Sequence, residues 1–456
     1  MTSSIRSTSW GRRILPTLPS LVFLAAAFLA GGYYESTYSL LAAVVWLGLA
    51  VAAALGGGRR PSGAFWALAA LACWSLLSAA WGPLGPALAA TPLLALYAGV
   101  LLGAEWLARG PTLSALLRAI ALVCLAALLG KPFVSGSRLS WPVTYANGLG
   151  LVAVSGVLLA VGVLLSSGQV RDLARVRPRT WLEGTICGLA AVLTFSRGAL
   201  VAGAALLVAP RLPRRIGIAV AVGLAALAVV LARPLAARFA APAPDTRDAH
   251  RLVTLSGHGR TRLWRIAWRE GRDHPLLGGG AGTWPRYAVR AEGLGAPANA
   301  HSLYLETFAE LGAVGLAILL AFLVAALRRD RLLLLAALAI AAAADWDWQL
   351  PAAAIPALIA AGAGRDRARS LGERPAVGAA LAALVVGVAC GLHGLGAALL
   401  ESGRPTQARH LLPGDARPDA AVRTRGAFAR GCRIDPGEPA LLFEAPLFGG
   451  CPPAGS

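Results

Sequence analysis

The stretch "NAHSLYLETFAELGAVGLAILLAFLVAAL", residues 299–327, combines an apolar run with ionisable side chains at its start. From residue 303 to residue 326 the run is long enough to cross a membrane, for which a helix needs about 20 apolar residues. Glu306 and Glu310 nevertheless lie inside it. Charged groups within a membrane helix are costly and usually face protein or water. The stretch therefore predicts a membrane helix that packs against other helices and presents polar groups near one end.

The composition of the whole chain supports a membrane protein. Of 456 residues, 57% are hydrophobic and only 14% are charged, whereas a soluble domain usually has about a quarter of its residues charged. The formal net charge is +20, but the arginines fall in short clusters between apolar runs, and no basic stretch is interleaved with aromatic residues. This pattern indicates membrane topology and argues against a nucleic-acid partner.

Apolar runs of membrane-spanning character recur along the chain. We count about thirteen: residues 14–31, 38–55, 64–81, 87–107, 113–130, 146–166, 181–195, 199–210, 216–232, 303–326, 332–344, 351–363 and 377–399. The predicted fold class is an all-α polytopic membrane protein with about 12–13 transmembrane helices and one long extracytoplasmic loop containing short helices.

The distribution of arginine in the short connections predicts the orientation. With a cytoplasmic amino terminus, arginine clusters such as Arg59–Arg60 all fall inside, as the positive-inside rule requires. The outer connections "GGYYEST", "WGPLGP" and "DWDWQL" contain no Lys or Arg. We therefore divide the chain into amino-terminal transmembrane helices (1–232), a long extracytoplasmic loop (233–300), carboxy-terminal transmembrane helices (301–400) and an extracytoplasmic tail (401–456).

The tail has two open interpretations, disorder or a vestigial helical hairpin that docks on the bundle. Cys432 and Cys451 lie in it and could pair if the tail faces an oxidising compartment. No metal-type spacing is found among the six cysteines and six histidines, so no metal site is predicted.

The long loop contains the block "GRTRLWRIAWREGRDHPLLGGGAGTW", residues 259–284. Its spacing predicts a short helix from about Arg260 to Arg272, with Trp264 and Trp268 on an apolar face and a cationic remainder. The helix either lies on the membrane surface or packs on the bundle with a solvated basic face. The glycines that follow lack the P-loop context, so a tight loop that allows close helix approach is at least as consistent as a phosphate cradle.

Two further ionisable groups are candidates for chemistry. His301 is expected in the first turn of the span that begins near residue 303, where a helix amino terminus favours an anion; a purely capping histidine is the alternative. Arg197 interrupts the apolar stretch of residues 185–208, which we interpret as two short spans that meet around Ser196. It is available to an anion there, or else it extends to the headgroups. We also expect Glu306 or Glu310 to pair with an arginine of the bundle.

Several motifs, in this order, resemble the O-antigen ligase and O-antigen polymerase superfamily of bacterial membrane glycosyltransferases. They are "TFSRGAL" (194–200), "GRTRLW" (259–264), "HPLLGGGAGTW" (274–284) and "NAHSLYLETFAELGAVGL" (299–316), with a weaker similarity in "WPVTYANGLG" (141–150). The resemblance covers roughly residues 140–350.

The resemblance implies transfer of a glycan from an undecaprenyl pyrophosphate carrier to an acceptor hydroxyl at the outer face of the bacterial cytoplasmic membrane, without metal or other cofactor. The implied partners are the lipid-linked glycan, a glycan, lipid or cell-wall acceptor, and membrane lipids. Ligase and polymerase differ in the acceptor, which the sequence does not identify.

The resemblance also assigns residues. Arg197 and Arg260 match the arginines that bind pyrophosphate, and His301 matches the catalytic histidine. Arg262 and Arg265 are neighbours without a firm counterpart. Possible supporting residues are Tyr304, Glu306, Trp264 and Trp268, the two tryptophans near the lipid. Ser302 replaces the asparagine that often follows the histidine, which leaves the acceptor contacts open.

Three other functions remain as alternatives: a transporter, a flippase of a lipid-linked or anionic substrate, and a non-catalytic assembly protein. A flippase would need its arginines along a path across the bilayer, and a transporter would carry its charges near mid-membrane.

Overall fold

A computed structural model describes residues 15–130, 138–166, 178–208, 259–293, 297–327, 333–364, 370–448 and 451. The predicted span 216–232 and the start of the long loop lie outside these residues. The described parts contain eighteen α-helices: α1 (Leu18–Phe28), α2 (Glu35–Ala54), α3 (Gly63–Leu77), α4 (Leu84–Glu105), α5 (Arg109–Gly130), α6 (Ala146–Ser166), α7 (Pro178–Leu193), α8 (Arg197–Val208), α9 (Arg260–Asp273), α10 (Trp284–Glu292), α11 (Leu303–Leu327), α12 (Leu333–Ala341), α13 (Pro351–Gly362), α14 (Glu373–Glu401), α15 (Pro405–Leu411), α16 (Arg417–Val422), α17 (Arg425–Ile434) and α18 (Pro439–Phe448).

The predicted class, an all-α polytopic membrane protein, is confirmed. Seven of these helices are long and apolar enough to cross a membrane, namely α2, α3 with the 3-10 turn that extends it to Ala80, α4, α5, α6, α11 and α14. Two shorter apolar segments are Leu15–Phe28 and Pro351–Gly362. All structure in the described ranges is helical apart from one isolated bridge between Arg59 and Ser370. The total number of spans stays a prediction, because part of the chain lies outside the described residues.

Helix α13 forms the centre of the bundle. All twelve of its residues are buried, and it packs against α1, α4, α6 and α12. Small residues make this close packing possible: a Cβ on Gly362 would lie 2.6 Å from the carbonyl oxygen of Leu101 on α4. With only 12 residues, α13 is shorter than the roughly 20 apolar residues of a full span. The chain before it, residues 342–350, is irregular apart from a 3-10 turn at Asp347–Gln349, and irregular backbone is tolerated in membrane proteins where protein surrounds it.

Helix α11 is interrupted at Gly312, and the glycine-rich loop fills the break. The backbone there has φ +66°, which breaks the regular helical hydrogen bonding. Loop backbone replaces it: Gly279 N–H donates to Ala309 O at 3.0 Å, Gly280 N–H donates to Glu310 O at 2.8 Å, and Ala313 N–H donates to Pro275 O at 2.8 Å. The glycine loop is therefore a close-packing element against a helix, the structural alternative suggested by its sequence.

The Glu310 carboxylate completes this attachment. It accepts hydrogen bonds from Gly282 N–H at 3.0 Å and Trp284 N–H at 2.8 Å, at the start of α10. A buried carboxylate satisfied by amide N–H groups can persist inside a membrane bundle. Glu310 thereby fixes α10, and the loop before it, to the broken turn of α11.

The tail after residue 404 is helical and contacts the bundle through ion pairs. Arg417 binds Glu35 on α2 at 2.7 Å and Asp415 at 2.6 Å, while Arg286 on α10 pairs with Asp435. A disulfide joins Cys432 to Cys451. These contacts attach helices α15–α18 to helix α10 and to α2.

We predict that Gly312→Ala destabilises the protein. A Cβ at this position would collide with the backbone of Leu276, and a non-glycine residue at a strained positive φ costs about 1–3 kcal/mol before any collision. Thermal unfolding of the detergent-solubilised protein should show a clearly lower midpoint. Gly378→Ala on α14 is the matched control, since no atom lies within 4 Å of its added Cβ. Equal midpoints for the two variants would contradict this account.

Candidate active site

The side chain of Asp345, in the irregular segment between α12 and α13, is the centre of a polar cluster. Oδ1 accepts from the Tyr145 hydroxyl at 2.8 Å and from Trp346 N–H at 2.9 Å, and lies 3.3 Å from His301 Nδ1. Oδ2 accepts from Asn147 Nδ2 at 2.6 Å and from Arg260 Nη2 at 3.0 Å. One carboxylate thus binds five donor groups, which exceeds the roughly four lone-pair positions it offers, so it has no capacity left to act on a substrate.

These donors come from separate parts of the chain. Tyr145 and Asn147 stand at the start of α6, Arg260 is the first residue of α9, and His301 precedes α11. Arg260 also donates from Nη1 to the carbonyl oxygen of Ala344 at 2.6 Å. Asp345 therefore fixes the entries of three helices relative to one another.

His301 is held by its backbone as well as by its ring. The residue has φ +53°, an uncommon value for a residue other than glycine, and it lies two residues before α11, not within the first turn as predicted. Its carbonyl oxygen accepts from Trp264 Nε1 at 3.3 Å. Strain of this kind persists only where surrounding contacts enforce it and is found preferentially at functional sites.

The ring of His301 has a defined orientation. If Nδ1–H donates to Asp345, the tautomer is fixed and Nε2 is left with a lone pair. The side chain is 22% exposed, so a substrate group can approach it. A carboxylate–imidazole pair of this arrangement is suited to accept a proton from a hydroxyl group.

A second buried carboxylate, Glu306, binds the chain segments next to His301 and next to Asp345. Glu306 accepts from Ala300 N–H at 2.6 Å and from Gln349 Nε2 at 2.5 Å, and Leu303 N–H donates to Ala342 O at 2.8 Å. The expectation that Glu306 or Glu310 pairs with an arginine is wrong within the described residues. Amide N–H groups bind both carboxylates, because the loop backbones beside them supply donors at close range.

The turn between α7 and α8 lies next to the cluster. Arg138 donates from Nε to the carbonyl oxygen of Thr194 at 2.8 Å and binds the Asn147 side chain. Arg197 begins α8 three residues after Thr194 and is half-buried. The predicted break around Ser196 is confirmed, and it places Arg197 on the turn that Arg138 connects to the Asp345 cluster.

The cluster is electrostatically organised around one ionised group. Burial would raise the pKa of Asp345, but the hydrogen bond with His301, the positive charge of Arg260 and the Tyr145 hydroxyl lower it to about 2. Asp347 has the opposite behaviour: burial and repulsion by Asp345 raise its pKa well above the usual range. One carboxylate stays charged at neutral pH, and the neighbouring one is favoured in its protonated form.

The remaining candidate residues have different positions. Arg262 is exposed and pairs with Glu292 at 2.6 Å, and Arg265 is exposed on α9. Trp268 is 52% exposed and contacts Phe308, with ring centroids 5.5 Å apart. The Tyr304 hydroxyl donates to Ala339 O at 2.9 Å. The structure therefore brings Arg260, Trp264 and His301 together. Arg262 and Arg265 lie on the exposed faces of α9. The predicted helix from Arg260 is confirmed.

Sequence reasoning did not place five residues of this cluster among the site residues: Arg138, Tyr145, Asn147, Asp345 and Asp347. Two signals were present. An interfacial aromatic belt accounts for the tryptophans of "DWDWQL" but not for its acids, and the weak "WPVTYANGLG" motif contains both Tyr145 and Asn147. Within the described residues no group of three or more His, Cys, Asp or Glu has the arrangement of a metal site.

Fold and site together define a class, a multi-pass α-helical membrane protein with a carboxylate–histidine–arginine cluster. Residues 185–320 match the sequence profile of the O-antigen ligase family. No curated protein matches the chain. This match supports membership of the O-antigen ligase superfamily, as the motifs predicted, and in general terms it supports a ligase- or polymerase-like glycosyltransferase. Arg197, Arg260 and His301 lie within the matched region.

We predict that Asp345→Asn lowers kcat of the glycosyl transfer by about 10³-fold, because an amide cannot hold the imidazole tautomer and the guanidinium at once. The variant keeps the size of the side chain, so the protein should still fold. Steady-state kinetics measures the effect. Asp273→Asn, an exposed carboxylate at the end of α9, is the matched control. A kcat within threefold of wild type for Asp345→Asn would contradict the positioning role.

Proposed function

We propose that the protein transfers a glycan from an undecaprenyl pyrophosphate carrier to an acceptor hydroxyl at the outer face of the bacterial cytoplasmic membrane. The observation that carries the proposal is the Asp345 cluster, which binds one imidazole and one guanidinium directly and reaches a second arginine, Arg138, through Asn147. An anionic leaving group and a hydroxyl nucleophile require these two kinds of side chain. The family match supports glycosyl transfer in general.

Arginines are assigned to the pyrophosphate. A guanidinium has five N–H donors. In Arg260, Nη1 donates one hydrogen bond to Ala344 O and Nη2 donates one to Asp345 Oδ2. The remaining N–H groups can donate to phosphate oxygens. Arg197 is assigned to the same ligand from the α7–α8 turn. As the bond between the anomeric carbon and the pyrophosphate oxygen breaks, negative charge grows on the phosphate oxygens, and preorganised guanidinium groups stabilise it.

His301 is assigned the role of general base. The acceptor oxygen forms a bond to the anomeric carbon, its proton passes to His301 Nε2, and undecaprenyl pyrophosphate leaves with the bonding electron pair. Asp345 stabilises the imidazolium through Nδ1–H. General-base assistance contributes typically about 10²- to 10⁴-fold in rate.

The other candidate residues have supporting roles in this proposal. Trp264 positions His301 through its carbonyl oxygen, and Glu306 holds the segments around residues 300 and 349. Arg262, Arg265 and Trp268 lie on the surfaces of α9 that would face lipid headgroups. Arg262 and Arg265 are therefore assigned to the approach of the anionic carrier and not to the reacting phosphates.

The test is a reconstituted assay with an undecaprenyl pyrophosphate-linked oligosaccharide and candidate acceptors, in which released undecaprenyl pyrophosphate is measured. We expect turnover in wild type and at least about a hundredfold loss in Arg197→Ala, Arg260→Ala and His301→Ala. Arg272→Ala, an exposed arginine of α9, should retain turnover. A chelator added to the wild type should leave the rate unchanged, since guanidinium groups supply the positive charge.

Different outcomes would revise different parts of the proposal. Full turnover of His301→Ala would exclude the general-base role. No release by wild type with any acceptor, together with normal folding and carrier binding, would exclude glycosyl transfer. Movement of the carrier across a bilayer in that situation would favour the flippase alternative.

A further inference from the structure

Four aromatic rings form a series of contacts from the protein surface to the Asp345 cluster. Tyr34 and Tyr33 have ring centroids 5.7 Å apart, Tyr33 and Trp346 are 5.6 Å apart, and Trp346 and Tyr145 are 4.5 Å apart. The hydroxyl of Tyr145 then donates to Asp345 Oδ1. We name these residues, Tyr34, Tyr33, Trp346 and Tyr145, the aromatic track.

Two glycines allow the segment that carries Tyr33 and Tyr34 to pack closely against the rest of the bundle. Gly31 and Gly32 have φ values of +74° and +78°, which glycine adopts without the steric cost of a Cβ. An added Cβ would lie 2.7 Å from the Val143 carbonyl oxygen at Gly31 and 2.8 Å from Pro351 at Gly32. This close approach places the chain before α2 against the start of α13, and so sets Tyr33 beside Trp346.

The outer rings are open to solvent or ligand. Tyr33 is 44% exposed and Tyr34 is 53% exposed. The Tyr33–Tyr34 and Tyr33–Trp346 contacts are T-shaped, so in each pair at least one face of each ring is clear of the other ring. Exposed aromatic faces next to a buried polar cluster suit a ligand that has both apolar and polar faces.

Polar groups lie beside the two exposed rings of the track. Tyr33 and Tyr34 help to line a cavity of about 590 Å³ together with Glu35, Arg417 and Glu438. Glu35 is fixed by Arg417 and by His393 Nε2 at 2.7 Å. Carboxylate and guanidinium groups next to aromatic faces match a sugar ring, which has C–H groups on its faces and hydroxyl groups at its edge.

We propose that the aromatic track is a glycan-binding subsite that takes pyranose rings and leads them to His301. This inference rests on the proposed glycosyl transfer and adds the place where the sugar is recognised. Arg260 contacts Asp345 from the start of α9, whereas Tyr145, the inner end of the track, contacts it from the start of α6. Sugar and pyrophosphate would therefore be bound by different side chains around the same carboxylate.

The track predicts a specific kinetic signature in the reconstituted assay. Tyr33→Ala should raise KM for a glycan substrate by about five- to tenfold, the value of one aromatic contact, with kcat within about twofold of wild type. Tyr33→Phe keeps the ring and should keep KM. Trp66→Ala is the control, because Trp66 is 60% exposed on α3 and has no part in the track.

The same assay identifies which glycan is bound. KM is measured separately for the lipid-linked donor and for the acceptor, each with a full glycan and with a single sugar. The effect of Tyr33→Ala should disappear when the glycan that occupies the track is shortened. Unchanged KM for both substrates, an equal effect of Trp66→Ala, or an equal effect of Tyr33→Phe would overturn the subsite and leave an ordinary interfacial aromatic belt.

Binding measured without turnover separates this inference from the proposed reaction. The free oligosaccharide is titrated into detergent-solubilised wild type, Tyr33→Ala and Tyr33→Phe by calorimetry. If Tyr33→Ala binds the oligosaccharide more weakly than wild type and Tyr33→Phe does not, the result would support the subsite even if no transfer is observed. Absence of binding to wild type at millimolar oligosaccharide, combined with KM values that Tyr33→Ala does not change, would exclude the subsite while transfer itself stands.

Discussion

The carboxylate of Asp345 is a charge enclosed by protein, and the arrangement around it follows from the need to compensate that charge. An ionised carboxylate away from water is stable only when donors satisfy it, and here they come from the starts of α6, α9 and α11 and from the backbone of Trp346. The helices that carry these donors cannot shift independently without leaving a donor or the carboxylate unpaired. The need of the buried carboxylate for hydrogen-bond donors therefore also fixes the positions of the His301 imidazole and the Arg260 guanidinium.

Broken helices supply the irregular backbone that this site requires. Residues 194–196 separate α7 from α8, residues 342–350 separate α12 from α13, and Gly312 interrupts α11. Each break exposes backbone groups that a continuous helix would have used internally, and each is satisfied by a neighbouring segment. Leu139 N–H binds Leu193 O at 3.1 Å, and the glycine loop binds the broken turn of α11. In a membrane protein such breaks are tolerated only inside the protein, so they gather where the site is.

Several parts of this architecture could be predicted because the relevant signal is local. Apolar run length predicted the membrane helices, period-3.6 spacing predicted the helix from Arg260, and the interruption by Ser196 and Arg197 predicted two short spans. The motifs predicted the superfamily, which the match over residues 185–320 confirmed. The partners of Glu306 and Glu310 could not be predicted, since a buried carboxylate can be satisfied by an arginine or by amides, and only the packed loops decide which lies closer.

The sequence by itself determined a polytopic helical membrane protein with the motifs of the O-antigen ligase superfamily, and it identified Arg197, Arg260 and His301 as candidate groups. Hydropathy, periodicity and motif order are properties of short stretches. Only the tertiary structure decided that Asp345, 44 residues after His301, is the group that orients it, and that Arg260 shares that carboxylate whereas Arg262 and Arg265 face outward. It also decided that Tyr33 meets Trp346. Such pairings depend on which helix ends meet in the folded bundle, and no local pattern along the chain encodes a distance between segments that are far apart in the sequence.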